Sequence, residues 1–194
     1  RMVTTLLDLS RLRTGSPLRL RDDVSVDSVI ESAVNEESEE AKSRSVRVMF
    51  DAEAAPPLGR LDPVLLERAL ANLLRNAISV SPNGSQVTVQ RRSLGRPGFG
   101  GRWARVRVSD EGPGVPAEIR ETVFQAFVTQ AVTRSPKALG VGLGLALARE
   151  VARAHGGDLV LDDTTAGATF ELWLPLQPRE AAASLAIQPL EQPA

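Results

Sequence analysis

The chain of 194 residues has no cysteine. That excludes disulfides, thiol catalysis and cysteine-ligated zinc, and it is compatible with the cytoplasm. It has one histidine, His155, which cannot build a histidine-rich metal site. It has almost no net charge: 23 basic against 24 acidic residues leave −1. No global field therefore draws it to nucleic acid or to an acidic membrane. No apolar run approaches the length of a membrane span, and no signal-peptide pattern opens the chain. Neither GxGxxG nor GxxxxGK[ST] occurs, so the dinucleotide and P-loop readings lose their main support. What is present, 42% hydrophobic and 24% charged residues, fits one globular domain with extensions.

Residues 1–13 place Met2, Leu6, Leu9 and Leu12 on one helical stripe, ended by Gly15 and Pro17. This is too short to bury its stripe alone, and it reads as the last turns of a longer hairpin helix. Leu18, Leu20 and Val24 alternate as a short strand. Asp27 is placed to cap a helix carrying Val29, Ile30, Ala33, Val34 and Ala41, with Glu36, Glu37, Glu39 and Glu40 outward on a solvated face. Val46, Val48 and Phe50 predict a strand, and residues 54–57 a turn. Asp62-Pro63 opens a helix with Leu66, Leu70, Leu73, Leu74 and Ala77 on its apolar side. Val87 and Val89 lie in one strand and Trp103, Val106 and Val108 in a second, joined by a Gly-rich hairpin loop. Residues 116–139 hold two short helical pieces and a mobile loop. Leu159–Leu161 and Phe170–Leu174 form a final strand pair, and residues 176–194 are a loose tail.

Four segments carry chemistry. Gly140, Gly142 and Gly144 run straight into a helix, a pattern that turns backbone N–H groups outward at a partly positive helix start and suits a phosphate. Tight packing is the plainer explanation of such a turn. Asn72 and Asn76 sit four apart on one helix face, one turn after Arg68. They are either satisfied amides or oxygen donors to a magnesium ion that also holds substrate phosphates. Asp110 ends a strand and precedes Gly112 and Gly114. It is either a turn cap or an acceptor for an exocyclic amine such as that of adenine, with a flat gap beside it. Phe124 and Phe127 are core residues in the plainer view.

Taken together, NLLRNA at 72–77, DEGPGV at 110–115, VFQAF at 123–127 and GVGLGL at 140–145 resemble, in order and spacing, the asparagine, first glycine, phenylalanine and second glycine boxes of sensor histidine kinases. The resemblance covers residues 15–176. LLDLSRLRTGS at 6–16 looks like the end of the family's dimerisation and phosphoacceptor hairpin, so the domains read as 1–14 hairpin end, 15–176 catalytic ATP-binding domain and 177–194 tail.

The resemblance implies a two-layer α/β sandwich, a mixed, mostly antiparallel sheet under three helices, with ATP between the helices and a flexible lid. The fold is shared with type II topoisomerases, a heat-shock chaperone and a mismatch-repair ATPase. It implies that Asn76 holds Mg2+, Asn72 supports the phosphates and Asp110 receives the adenine amine. Gly112 and Gly114 make room for the base, Phe124 and Phe127 anchor the lid, and Gly140, Gly142 and Gly144 close it on the phosphates.

The implied reaction moves the γ-phosphoryl of Mg-ATP to a histidine on an adjoining hairpin, and then to a response-regulator aspartate. That acceptor and any base lie outside this chain, so no catalytic residue is assigned, and His155 is read as structural. The implied setting is the cytoplasmic domain of a homodimeric parent open to membrane anchoring, without nucleic acid as partner. The sequence departs from the family at Ser79, Val80 and Thr129, where basic and aromatic residues are common; Arg68, Arg75, Arg134 and Lys137 are the available substitutes. Those missing charges support a second reading, a kinase-like module that binds nucleotide weakly or not at all and acts as an interaction switch. A third, another ATPase or serine kinase of the superfamily, is opposed by residues 6–16.

Overall fold

The computed structural model describes residues 2–128, 142–162 and 167–176. In chain order the elements are α1 (Met2–Arg13), β1 (Arg21–Ser25), α2 (Val26–Glu36), α3 (Ser38–Ser43), β2 (Arg47–Ala52), β3 (Leu58–Leu61), α4 (Pro63–Val80), β4 (Gln86–Leu94), β5 (Arg102–Ser109), a single 3-10 turn (Ala117–Ile119), α5 (Gly144–Ala154), β6 (Asp158–Asp162) and β7 (Thr169–Leu176).

Five strands form one sheet in the order β2-β4-β5-β7-β6. β2 runs parallel to β4, and every other neighbouring pair is antiparallel. The sheet is therefore mixed and mostly antiparallel, as expected. Its inner face presents Val87, Val89, Val106, Val108, Leu159, Phe170, Leu172 and Leu174 to the apolar sides of α2, α4 and α5. Its other face is charged. Arg92 pairs with Asp51 at 2.6 Å, and Arg107 lies 3.3 Å from Glu171, so the strands carry a self-neutralising ladder there.

α4 begins where its sequence says. The Asp62 carboxylate accepts from Leu65 N at 3.1 Å, and Pro63 takes the first helical position, where no N–H is needed. Leu66, Ala69, Leu70, Leu73, Leu74, Ala77 and Ile78 then face the core.

Three local expectations differ. Ser25, not Asp27, caps α2, accepting from Ser28 N at 3.3 Å. Asp27 is instead drawn to the fully buried Arg91 of β4, which donates to both its oxygens at 2.7 Å. An arginine buried on a strand needs a carboxylate more than a helix start does. The first strand lies at Arg21–Ser25, beyond Leu18 and Leu20, and pairs antiparallel with β3 in a separate two-stranded sheet. β3 itself, only four residues with a central Gly59, gave no alternation long enough to read. Finally, Glu37 is not outward. It breaks the helix between α2 and α3 and is 1% exposed.

Candidate functional site

The asparagines of α4 come first. Asn72 and Asn76 lie on the flank of the helix, half-buried, between its core face and solvent. Gly144, the first residue of α5, packs directly on Asn72: a Cβ there would lie 3.4 Å from the Asn72 Cβ and 3.6 Å from its Oδ1. The Gly-rich helix start and the first asparagine are therefore neighbours, as the resemblance implied. Asn72 Oδ1 also accepts from Arg75 at 3.1 Å.

The strand end of β5 closes the site from the other side. Gly112 lies against Val80, one turn beyond Asn76. A Cβ on Gly112 would sit 2.9 Å from Val80 O, from Val80 Cγ2 and from the Asp110 carboxylate. Gly112 thus serves close packing between the strand end and α4. Gly114, at φ 78°, is held the same way, with a Cβ reaching to 2.9 Å from Gly167 O.

Asp110 is 6% exposed. One oxygen, Oδ1, accepts from Gly112 N at 2.8 Å and Ala168 N at 3.2 Å. The other, Oδ2, is buried and has no hydrogen-bond partner among the described residues. Burial pushes the carboxyl above its ordinary value of 3.8, against the lowering pull of the Gly112 and Ala168 N–H groups. A buried carboxylate with one oxygen held by two amides and the other lacking a donor is an incomplete site, open to a hydrogen-bond donor.

The sequence reading missed the wall that holds Asp110. Gly167 adopts φ 67°, and a Cβ there would fall 1.8 Å from Asp110 O, so only glycine lets the start of β7 approach. Asp110 N donates to Ala168 O at 2.9 Å, and Thr169 Oγ1 donates to Ser109 Oγ at 2.8 Å. The available signal was the Gly167-Ala168-Thr169 run just before the alternating Phe170, Leu172 and Leu174.

The phenylalanines divide. Phe124 packs edge-on to Phe170 at 6.0 Å, with the Arg149 guanidinium 4.6 Å over its ring. The Phe127 ring is 66% exposed, and its backbone rather than its ring holds the neighbouring described segment, since Phe127 N donates to Gly142 O at 2.9 Å. Gly142, at φ 70°, comes so close that a Cβ would lie 2.6 Å from Val128 O. Gly140, Thr129, Arg134, Lys137 and the part of the expected mobile loop beyond Val128 lie outside the described residues.

The two remaining substitutes for missing phosphate charges are engaged. Arg68 pairs with Asp8 of α1, and Arg75 pairs with Glu37. His155 is 9% exposed at the end of α5. Its Nε2 accepts from Asp62 N at 2.9 Å while Nδ1 donates to Val151 O at 2.7 Å, which fixes the neutral Nδ1–H form. Burial lowers its pKa from 6.5. No cluster of three or more His, Cys, Asp or Glu suited to a metal occurs among the described residues. A single amide oxygen such as that of Asn76 would suit a magnesium ion that shares its shell with phosphates and water.

A model of the family described as Histidine kinase-, DNA gyrase B-, and HSP90-like ATPase matches residues 61–178. The sensor-like histidine kinase SenX3 of Mycobacterium tuberculosis is 38% identical over 176 residues, covering 90% of this chain and 41% of that protein. Among solved structures, the mycobacterial sensor histidine kinase MprB matches with TM-score 0.65 at 30% identity, over 80% of this chain and 97% of its own. Full-length ShkA in complex with AMPPNP matches with TM-score 0.71 at 25% identity, over 90% of this chain and 35% of its own. The chain thus spans about two fifths of the length of the SenX3 relatives it matches.

Proposed function

Since the chain belongs to the histidine kinase-, DNA gyrase B- and HSP90-like ATPase family, we propose that it is the ATP-binding catalytic domain of a two-component sensor histidine kinase. The observation that carries the reading is Asp110: a buried carboxylate with one oxygen held by two amides and the other without a partner, beside the asparagine-bearing helix. In this reading Asp110 Oδ2 accepts the adenine amine. Asn76 offers its amide oxygen to Mg2+, and Asn72 supports the phosphates. Gly142 and Gly144 set the approach of the glycine-rich segment, with Gly140 continuing it, and the Phe124 ring and Phe127 backbone tether that segment's far end. A bound magnesium ion would supply charge neutralisation on the phosphates.

The domain's own task is positioning. It binds the base, fixes the phosphate chain and presents the γ-phosphorus to an imidazole nitrogen. That nitrogen bonds to phosphorus as the bond to the bridging oxygen breaks, and ADP leaves. The acceptor is assigned to a hairpin histidine not contained in these 194 residues, with residues 1–14 as the end of that hairpin, 15–176 as the catalytic domain and 177–194 as a tail. Onward transfer goes to a response-regulator aspartate. The parent is read as a homodimer whose catalytic domain works in the cytoplasm and which is open to membrane anchoring. Among the described residues no helix is long and apolar enough to cross a membrane.

Incubation with γ-labelled ATP tests this. The chain alone should gain no acid-labile phosphate. A hairpin domain from the same parent, added separately, should become labelled, slowly, because tethering is lost. No label on the hairpin, or stoichiometric label on His155, contradicts the assignment.

A further inference from the structure

The buried Glu37 has no place in the roles given so far. It sits at the break between α2 and α3, on the same stripe as the buried Ala33 and Ala41. Both its oxygens are taken by Arg75 of α4: Nε donates to Oε2 at 3.2 Å, and Nη2 to Oε1. Glu36 Oε1 stands 3.9 Å from the same guanidinium. The third arm of Arg75, Nη1, donates to Asn72 Oδ1 at 3.1 Å. A two-pronged grip on Glu37 fixes the plane of the guanidinium, and the plane fixes where Nη1 points.

The consequence falls on Asn72. An asparagine amide has an acceptor end and a donor end, and on its own either can face a ligand. A guanidinium has no acceptor, so the atom it meets must be the amide oxygen. With Oδ1 committed to Arg75 and the side chain packed against Gly144, the amide presents its N–H pair as donor. A phosphate oxygen needs a donor; a magnesium ion needs an oxygen. The two asparagines of α4 are thereby given different tasks.

We propose that Glu37 and Arg75 are positioning residues for nucleotide: the pair locks the Asn72 amide with its N–H end available to the triphosphate. This rests on the ATP reading above. It also gives Arg75 a use in a chain that lacks basic residues at 79, 80 and 129: the guanidinium acts on the phosphates through Asn72.

A plain tie between α2 and α4 would alter stability without distinguishing one part of the nucleotide from another. The test therefore compares Mg-ATP with adenosine, which reaches Asp110 but has no phosphates. In the full chain, Arg75→Met should weaken Mg-ATP binding roughly ten- to hundredfold, the loss expected for one misplaced hydrogen bond to a charged group. Adenosine binding, followed by NMR titration, should stay unchanged. Glu37→Gln should weaken Mg-ATP in the same direction, and should add nothing in the Arg75→Met background. That double variant leaves no buried charge unpaired, so it supplies a folded protein if either single variant loses its fold, and it should show the same selective loss. Unchanged Mg-ATP affinity in a folded variant lacking the Arg75 guanidinium, or equal losses for Mg-ATP and adenosine, overturns the inference. A wild-type chain that binds neither ligand instead overturns the ATP reading, and this inference with it.

Discussion

At the scale of single residues, Asp110 shows function set against stability. Its folded pKa lies above the ordinary 3.8, because burial penalises the charged form more than two N–H groups reward it. The sign follows. Its contribution to folding is present below 3.8 and lost as pH rises through the folded value. At neutral pH the carboxylate is therefore a cost to the fold. Asp110→Asn keeps an oxygen for Gly112 N and Ala168 N, so thermal unfolding should occur at an equal or higher temperature. ATP affinity should nonetheless fall by more than about tenfold, because the free end of the side chain becomes a donor facing a donor. A lower unfolding temperature with intact affinity would reverse both halves of that account. Asn76→Ala should leave circular dichroism intact and weaken Mg-ATP by more than roughly one order of magnitude. Unchanged affinity in the folded variant removes Asn76 as the metal ligand. Both residues were marked in the sequence by motif spacing, not by environment. Glu37 was not: a run of four glutamates among residues 36–40 reads as solvated, and only the spacing from Ala33 to Ala41 pointed inward.

At the scale of elements, α5, which has no side-chain cap, was marked by the glycines before it, and α4 was readable nearly end to end, since its Asp62 cap, Pro63 and apolar spacing agree. β1 and β3 were not, because each is short and depends on the other for pairing rather than on its own alternation. The joint between the helices is His155. It accepts from Asp62 N, while the Asp62 carboxylate caps α4 and accepts from Arg19 N at 2.9 Å, so three segments meet there. Burial lowers the imidazole pKa from 6.5, so the neutral form is native. Its contribution to stability is complete above 6.5 and lost as pH falls from 6.5 toward the folded value. Denaturant midpoints should fall across that window in the native chain, and His155→Gln should flatten that part of the profile. An unchanged profile would mean that His155 does not carry it. Gly142→Ala strains a residue at φ 70° and drives a Cβ into Val128 O. Mg-ATP binding should weaken while the sheet and α4 keep their hydrogen-exchange protection; normal affinity would show that this approach is dispensable.

At the scale of the molecule, the sheet and three helices bring together segments that are far apart in sequence: Asn72, the Asp110 strand end, the Gly167 wall and Gly144. The mixed two-layer fold was implied by the resemblance of the four boxes, but the Gly167 contact could not be read, because a close approach leaves no periodic trace. On the proposed reading this assembly is a pocket for adenine in particular, with Asp110 as its reader. Guanine carries a carbonyl oxygen where adenine carries its amine, and a carboxylate repels it. Calorimetric titration of the unmodified chain with Mg-ATP and with Mg-GTP is the direct test. Mg-ATP should bind saturably and one to one, with Mg-GTP weaker by at least roughly tenfold. Equal affinities for the two nucleotides, or no saturable binding of Mg-ATP, would contradict it.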